Sequence, residues 1–233
     1  MMETFADNPS NIWAIVPVKR LSHAKQRLAP VLSRNERVKL ARTMLHEVLT
    51  TLCASDLAGI MVVTSDPMVA KLATLFDARV IHDGMEAGVN AAVQQGLGAL
   101  DATAGALIIP ADVPFATASD LRAIIDELQH HPVVLAPALS DGGTNALAMR
   151  APDMIVPKFG EDSYLRHQMQ SRVKGLPCGV VSSDGIGRDI DRPQDLVAPM
   201  VTRKYSLTAA LLVELNISIR LGVGALPLCV RHM

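Results

Sequence analysis

The stretch "IWAIVPVKRLSHAKQRLAP", residues 12–30, begins as a run of apolar residues and then turns abruptly cationic. Its first seven residues are apolar without alternation, which is typical of a buried strand in a sheet that helices cover on both faces. Lys19, Arg20, Lys25 and Arg27 follow within nine positions, with no acidic residue among them. Because the net charge of the whole chain is only -1, these cations are a local concentration that is suited to a negatively charged ligand.

The rest of the chain alternates short apolar runs with helical patterns. Six further runs predict strands, at 59–65, 78–81, 105–112, 132–139, 145–150 and 179–183. Amphipathic spacing predicts helices between them, at 33–55, 66–76, 86–100 and 116–131. In the first helix, Ser33 and Glu36 have the spacing of a capping box. We therefore expect an α/β protein, a three-layer α/β/α sandwich with a largely parallel sheet and right-handed crossovers.

The composition excludes several classes of protein. A balanced charge and a pI near 6.6 argue against a nucleic-acid binder that relies on bulk electrostatics. Cys53, Cys178 and Cys229 form no C-x-x-C pair, so neither a disulfide framework nor a zinc site is indicated. Residues 1–11 lack the layout of a signal peptide, and no apolar run is long enough to span a bilayer. We expect a soluble, cytoplasmic protein without a membrane partner.

The length of 233 residues fits one large domain. Neither a repeat nor a low-complexity linker divides the chain up to about residue 199, so residues 1–199 are predicted to form one domain. Residues 200–233 form an atypical, apolar tail. Three interpretations of the tail are open: a helix and strand that pack on the core or form a homodimer contact, an interaction or lid segment, or a recently diverged sequence without a selected function.

The cationic loop is the first candidate site. It follows a strand, and ligands of open α/β sheets bind at the carboxyl ends of the strands. Lys19 and Lys25 are suited to a polyphosphate as point charges, and Arg27 as a fork-shaped clamp. No glycine occurs in residues 1–58, so backbone amides alone do not cradle phosphates here. The alternative is a solvated basic loop that leads into a helix.

Acidic residues supply the second and third candidates. Asp112 comes directly after the buried run in "IIPADVPF", residues 108–115. Asp189 and Asp191 lie two apart in "GIGRDIDRPQDL", residues 185–196, and an extended backbone places both carboxylates on one side. Three such carboxylates make a hard-oxygen site suited to Mg²⁺. The alternatives are a helix-capping aspartate and an ordinary polar turn.

Two glycine-containing segments suggest a second anion site. In "SDGGTNAL", residues 140–147, Thr144 offers a hydroxyl and an amide at the start of a strand. In "FGEDSYLRH", residues 159–167, Gly160 and Ser163 lie at the start of a predicted helix, where free amides and the helix dipole favour an anion.

Three further residues complete the set. His167 lies one turn after Ser163 and shares its helix face; a structural hydrogen-bonding role is favoured over a catalytic one. Asn90 follows Gly88 near a helix start, where its amide could read a base edge, although a polar residue there is also common. Taken together, the cations and carboxylates describe a site for a nucleoside triphosphate with Mg²⁺.

The combination of motifs resembles a known family. The segments "VPVKRLSHAKQRL", "IPADVP", "GGTNAL", "FGEDSYLRH" and "DIDRPQDL" occur in the order seen in the CofC/FbiD family, over roughly residues 11–199. These proteins are the phosphoenolpyruvate or 2-phospho-L-lactate guanylyltransferases of deazaflavin coenzyme F-420 biosynthesis. The resemblance implies a nucleotidyltransferase fold like that of molybdopterin guanylyltransferase. It also implies Mg²⁺ ligands at Asp112, Asp189 and Asp191, phospho-acid contacts at Thr144, Gly160 and Ser163, and GTP contacts at Lys19, Lys25, Gly88 and Asn90.

The resemblance further implies the reaction. GMP would pass from GTP to the phosphate of phosphoenolpyruvate, 2-phospho-L-lactate or 3-phosphoglycerate, and pyrophosphate would leave. Asp112, Lys19 and Lys25 would be the catalytic residues, and a downstream transferase would take the product. Two alternatives remain: another nucleotidyltransferase of this fold that acts on a sugar phosphate or a pterin cofactor, and a nucleotide-binding protein without turnover.

Overall fold

The computed structural model describes residues 11–197 and 206–223, and seven strands in these ranges form one sheet. The strands are β1 (Ile12–Val18), β2 (Gly59–Thr64), β3 (Arg79–His82), β4 (Gly105–Ile108), β5 (Val133–Pro137), β6 (Thr144–Met149) and β7 (Cys178–Val180). Their order is β3-β2-β1-β4-β6-β5-β7. Strand β6 is antiparallel to β4 and β5, while the other neighbours are parallel. The predicted, largely parallel sheet is confirmed.

Helices connect the strands and continue beyond them. They are α1 (Arg34–Cys53), α2 (Pro67–Thr74), α3 (Val89–Gly98), α4 (Ala118–Glu127), α5 (Ser163–Val173), α6 (Leu207–Glu214) and α7 (Ile217–Arg220). The capping box of α1 is confirmed, because Glu36 N donates to Ser33 Oγ and Ser33 N donates to the Glu36 carboxylate at 2.7 Å. None of the described helices is both long and apolar enough to cross a membrane.

Apolar side chains leave both faces of the sheet and pack against helices. On one face, Val16 and Ala14 of β1 join a core that includes Leu45 of α1. On the other face, Ile15 packs in a second core with Val93 of α3. This alternation along β1 confirms the three-layer arrangement and explains why its sequence shows no polar face.

Strand β4 is shorter than the predicted run 105–112. The ladder ends at Ile108, and the Ile109 amide makes one more bond to Ile15 O at 3.1 Å. Pro110 has no N–H and cannot extend the ladder. Asp112 consequently lies in a turn just past the carboxyl end of the strand, where its side chain is not committed to the sheet.

The antiparallel direction of β6 has a consequence for the site. Leu147 of β6 pairs with Ile108, the last residue of β4. Thr144, the first residue of β6, therefore lies at the same edge of the sheet as the carboxyl end of β4. The turn that contains Asp112 and the beginning of β6 are neighbours for this reason.

The described part of the tail is attached to α1. Leu211, Leu212 and Ile217 belong to the same hydrophobic core as the face of α1. The Glu47 carboxylate of α1 accepts hydrogen bonds from the amides of Leu207 and Thr208 at 2.8 and 3.0 Å, and it also contacts the hydroxyls of Ser206 and Thr208. Glu47 thus caps the N-terminus of α6 from another helix.

A second contact fixes the end of the described tail. The Arg220 guanidinium pairs with the Glu36 carboxylate at 2.7 Å, and this hydrogen bond, with those from Ser33, lowers the pKa of Glu36 to about 2. Packing of the tail on the core is confirmed for residues 206–223, but the expected helix and strand are instead two helices, α6 and α7, in this range. Residues 200–205 and 224–233 of the predicted tail, with Cys229, lie outside the described residues.

Replacement of Glu47 by alanine should loosen the tail. The change removes a carboxylate that satisfies the first amides of α6, and hydrogen bonds to a charged group contribute about 1.5–3 kcal/mol, while alanine keeps α1 helical. We expect faster amide hydrogen exchange across Leu207–Glu214 and a lower free energy of unfolding in urea. Lys39→Ala is the matched control on the same helix: its exposed pair with Glu214 should contribute less than about 1 kcal/mol. Equal effects of the two changes would contradict the capping role.

Candidate active site

A cleft of about 640 Å³ opens at the carboxyl ends of β1 and β4. The loop after β1, the turn after β4 and the beginning of α3 form its walls. Lys19, Lys25, Gly88, Asp112 and Asp191 all line this cleft. Four segments that are far apart in the sequence are thus brought together, as expected for a ligand site in an open α/β sheet.

The cationic loop is folded so that one lysine points inward. Leu21 and Leu28 are buried anchors, and the Leu21 amide donates to the Asp66 carboxylate at 2.8 Å. Between the anchors, Lys25 adopts a left-handed backbone conformation with φ 51° and ψ 44°. This conformation is unfavourable for a residue with a side chain and is often found at functional sites.

The Lys25 ammonium is held between two aspartates. Nζ lies 2.6 Å from Asp112 Oδ2 and 3.5 Å from Asp191 Oδ1, and the side chain is only 9% exposed. Burial lowers the pKa of Lys25, but attraction to Asp112, with smaller contributions from Asp191 and Asp189, outweighs burial and raises the pKa above its ordinary value. Lys25 is therefore a buried, permanently charged group at neutral pH.

Arg27 stands at the rim of the same cluster. Its guanidinium contacts Asp191 Oδ2 at 2.5 Å and remains largely exposed. Burial raises the pKa of Asp191, but Lys25 and Arg27 together lower it below its ordinary value. The rim cation is free to exchange this partner for an anionic ligand at low cost, since an exposed ion pair contributes little.

The two acidic segments are joined by backbone contacts. The Ile190 amide donates to the carbonyl of Asp112 at 3.0 Å, and Ile190 itself is fully buried. Asp189 and Asp191 flank this anchor and are both half-buried. Burial, and then the nearby charge of Asp112, raise the pKa of Asp189 to about 6.

The carboxylates suit a hard cation, although they do not form a ready-made cage. Within residues 11–197 and 206–223, no three carboxylate, imidazole or thiolate side chains converge in the arrangement that a metal ion requires. The position between Asp112 and Asp191 is taken by the Lys25 ammonium. Oxygen ligands that already hold one cation fit Mg²⁺ in chemical type, and the Mg²⁺ assignment to Asp112, Asp189 and Asp191 stays a prediction.

The predicted acceptor residues form a buried network. Thr144 Oγ1 lies 3.0 Å from His167 Nδ1, and Ser163 Oγ lies 3.2 Å from Thr144 Oγ1. Ser163 is 1% exposed and His167 is fully buried. The network joins the beginning of β6 to the first turn of α5, so the two motifs that carry Thr144 and Ser163 do come together.

One part of the sequence interpretation is wrong. The amides at the start of α5 were expected to be free for an anion. Instead, the Ser163 amide donates to Gly160 O at 3.1 Å, and the Tyr164 amide donates to Gly142 O at 3.2 Å. The first bond closes a turn in which Gly160 has a positive φ of 127°, a conformation that suits glycine. These two amides are therefore not free for an anion.

On the nucleotide side, Asn90 has a protein partner. Its side-chain carbonyl accepts from Phe159 N at 2.7 Å, and its amide donates to Phe159 O at 3.1 Å. This pair links the first turn of α3 to the residue before Gly160. Gly88 is the N-cap residue of α3; it has a φ of 100° and makes no side-chain hydrogen bond. Lys19 is exposed where it lines the cleft. Direct contacts of Lys19, Gly88 and Asn90 with the nucleotide stay predictions.

Two site residues were missed by sequence reasoning. Asn145 donates to Ile186 O at 3.0 Å and to Asp189 Oδ1 at 3.4 Å, so it positions the late acidic segment. Asp66 holds the cationic loop through Leu21 and also caps α2. For Asn145, the available signal was a polar residue inside an apolar strand. For Asp66, it was a position just after a buried strand, which is the same signal that identified Asp112.

The family model described as "Guanylyl transferase CofC like" matches residues 12–226. The chain belongs to this family. The match extends past residue 199 and includes α6 and α7, which agrees with their packing on α1. As a member, the chain is a nucleotidyltransferase by family.

Curated relatives support the assignment. The chain is 39% identical over 191 residues to a phosphoenolpyruvate guanylyltransferase from Sphaerobacter thermophilus, covering 78% of this chain and 89% of the relative. It is 39% identical over 190 residues to a 3-phospho-D-glycerate guanylyltransferase from Phenylobacterium zucineum, covering 79% and 87%. It is 33% identical over 187 residues to a 2-phospho-L-lactate guanylyltransferase from Methanothermobacter thermautotrophicus, covering 78% and 81%.

A solved structure confirms the fold. A proposed nucleotide-diphospho-sugar transferase from Desulfovibrio desulfuricans superimposes with a TM-score of 0.74 at 17% identity, covering 92% of this chain and 98% of that one. At this identity the likeness concerns the fold alone. The predicted nucleotidyltransferase fold is confirmed.

The raised pKa of Asp189 predicts a stability effect in the metal-free protein. A carboxyl whose pKa rises from 3.8 to about 6 on folding resists ionisation in the folded state. The resulting cost is fully present above pH 6 and disappears below the unfolded pKa. Asp189→Asn should therefore stabilise the protein at pH 8 by about 1–3 kcal/mol, and this gain should shrink as the pH falls toward 4. Urea unfolding with a chelator at several pH values measures it, and a gain that grew on acidification would contradict the assignment.

Proposed function

We propose that the protein transfers GMP from GTP to the phosphate of a small phospho-acid and releases pyrophosphate. The observation that carries the proposal is the position of the buried Lys25 ammonium between Asp112 and Asp191, in a chain that belongs to the CofC-like family. The relatives named above act, by their names, on phosphoenolpyruvate, 3-phospho-D-glycerate and 2-phospho-L-lactate. Each of these acceptors carries one phosphate and one carboxylate.

The acceptor needs little chemical activation. A phosphate monoester has a second pKa of about 6, so it is largely dianionic at neutral pH. One of its oxygens attacks the α-phosphorus of GTP, the bond from that phosphorus to the bridging oxygen of the β-phosphate breaks, and pyrophosphate leaves. No proton has to be removed from the nucleophile, so the chain supplies positioning and charge neutralisation.

The cationic loop provides the charge. We assign Lys19 and Lys25 to the triphosphate, because both line the cleft; Lys19 is exposed there, and the Lys25 side chain is largely buried. The Lys25 ammonium has three N–H donors; its contacts with Asp112 and Asp191 use two of them, so one is left for a phosphate oxygen. Asp112, Asp189 and Asp191 would hold Mg²⁺, which when bound neutralises phosphate charge and orients the reacting groups.

The acceptor side is assigned to Thr144, Gly160 and Ser163. The two hydroxyls are adjacent at the edge of the sheet, and Gly160 supplies a turn without a side chain next to them. Hydroxyl donors suit the carboxylate or the phosphate of a phospho-acid. Arg27 lies near Asp141 and Glu161 of the same region, which makes it a candidate cation for the acceptor.

One alternative has an observation in its favour. The fold is shared with the proposed nucleotide-diphospho-sugar transferase, so a sugar phosphate is the second candidate acceptor; pterin transfer and nucleotide binding without turnover have no comparable support. The place in coenzyme F-420 biosynthesis, the transfer of a labile product to a downstream transferase, a cytoplasmic location and a homodimer are parts of the proposal that stay predictions.

The assay that tests the proposal follows pyrophosphate release. Purified protein with GTP and Mg²⁺ is given phosphoenolpyruvate, 2-phospho-L-lactate, 3-phosphoglycerate or glucose 1-phosphate in parallel. We expect release with at least one phospho-acid and none with the sugar phosphate. Asp112→Asn should abolish release while the protein stays folded, because the loss of a carboxylate from the cation site removes several kcal/mol of barrier lowering. Activity with the sugar phosphate alone would refute the proposed acceptor class.

Ser163→Ala should act on the acceptor and not on GTP. Loss of one hydrogen bond to a charged ligand costs about 1.5–3 kcal/mol, or about ten- to a hundredfold in apparent affinity. Steady-state kinetics with the acceptor varied at saturating GTP, and then the reverse, separate the two constants. Ser171→Ala is the matched control, because Ser171 is buried on the same helix but two turns farther from the site.

Thr144→Ala should behave like Ser163→Ala. Since the two hydroxyls contact each other, the double variant should cost less than the sum of the single changes. A rise in the GTP constant with an unchanged acceptor constant would show that the nucleotide and acceptor assignments are reversed.

A further inference from the structure

His167 connects two segments of the predicted acceptor region, because each of its ring nitrogens makes a hydrogen bond to one of them. Its Nε2 lies 2.8 Å from the backbone N of Lys158, and its Nδ1 lies 3.0 Å from Thr144 Oγ1. The ring is fully buried and packs edge-on against Phe159, with the ring centroids 5.3 Å apart. Neither the proposed reaction nor the charge of the cleft uses this residue.

The backbone contact determines the tautomer of His167. An amide N–H can only donate, so Nε2 must accept the hydrogen bond from Lys158 and cannot carry a proton. Burial, and then the charge of Arg166, lower the pKa of His167 to about 4, so the ring is neutral at neutral pH. Its single proton is therefore on Nδ1, from which it is donated to Thr144 Oγ1.

The hydrogen-bond network leaves one proton for a ligand. His167 Nδ1, Thr144 Oγ1 and Ser163 Oγ carry three protons in total, and the contacts among them use two. The imidazole donates to Thr144, and one hydroxyl donates to the other. One hydroxyl proton of the Thr144–Ser163 pair thus remains without an acceptor in the described residues. With the other tautomer, Thr144 would have to donate to the ring, and no proton would remain.

We propose that His167 is a positioning residue: the Lys158 amide sets its tautomer, and the tautomer turns the Thr144–Ser163 pair into a net hydrogen-bond donor toward the anionic acceptor substrate. The inference rests on the proposed assignment of these two hydroxyls to the phospho-acid. It explains why a buried histidine lies one turn after Ser163. Beside an apolar residue, nothing would fix the hydroxyl pair as a donor, and it would equally present its lone pairs to the ligand.

The first test reads the tautomer directly. The full chain is labelled with ¹⁵N-histidine, and two-bond nitrogen–proton correlations are recorded at pH 7, with the His167 signals assigned by their loss in His167→Gln. A protonated Nδ1 and a bare Nε2 are expected. A proton on Nε2 overturns the proposal, and this result does not depend on catalytic activity.

The second test separates the two ring contacts. His167→Asn places an amide where Nδ1 lies and can still donate to Thr144, whereas His167→Gln reaches toward Nε2 and can keep only the Lys158 contact. We expect the acceptor KM to rise about tenfold or more in His167→Gln, as for loss of a hydrogen bond to a charged ligand, and to recover largely in His167→Asn. The KM for GTP should change little in either, and His130→Gln, an exposed histidine, serves as the control.

Folding and function are kept apart by two further measurements. Thermal unfolding of each variant shows whether the buried site still packs, and equal acceptor KM values in folded His167→Asn and His167→Gln would overturn the proposal. If the wild-type chain shows no turnover with any phospho-acid, the proposed function fails. Calorimetric binding of phosphoenolpyruvate to wild-type and His167→Gln protein then decides the inference: weaker binding to the variant supports it, and equal or absent binding overturns it.

Discussion

The contact between the Lys25 ammonium and the carboxylates of Asp112 and Asp191 is the interaction on which the site depends. It joins residues that are 87 and 166 positions apart, so it closes the cleft from the cationic loop to both acidic segments. The left-handed backbone at Lys25 is the local cost of aiming this side chain inward. The anchors Leu21 and Leu28, with Asp66 beneath them, hold the loop in that conformation.

The charges of this cluster favour the exchange of bound ions more than the stability of the free protein. Three carboxylates face two cations, Lys25 and Arg27, and burial together with the nearby charge of Asp112 raises the pKa of Asp189. A site of this kind gains when a further cation enters, or when the lysine leaves to meet a polyanion. Residues that bind substrate commonly lower the stability of the free protein for this reason.

The residues predicted to contact the nucleotide and the acceptor are also connected through the backbone at Lys158 and Phe159. Asn90, a predicted nucleotide contact, pairs with both backbone groups of Phe159, and His167, which adjoins the predicted acceptor residues, accepts a hydrogen bond from the Lys158 amide. The short segment before Gly160 is thus held from both sides by side chains that were first interpreted as ligand contacts or as a lone structural histidine.

The local sequence was sufficient for the elements and for the inventory of charged groups. Strands such as Ile12–Val18, the capping box of α1 and the position of Asp112 after a buried run follow from periodicity and from rules that act over a few residues. The partners of those groups were decided by the tertiary structure: Lys25 with two aspartates, Asn90 with Phe159, and the amides of Ser163 and Tyr164 with glycine carbonyls. The physical reason is that a hydrogen bond between segments far apart in the chain forms only when the donor–acceptor distance is set to within a few tenths of an ångström. Spacing along the chain specifies which face a residue occupies, but only the packed sheet and its loops set those distances.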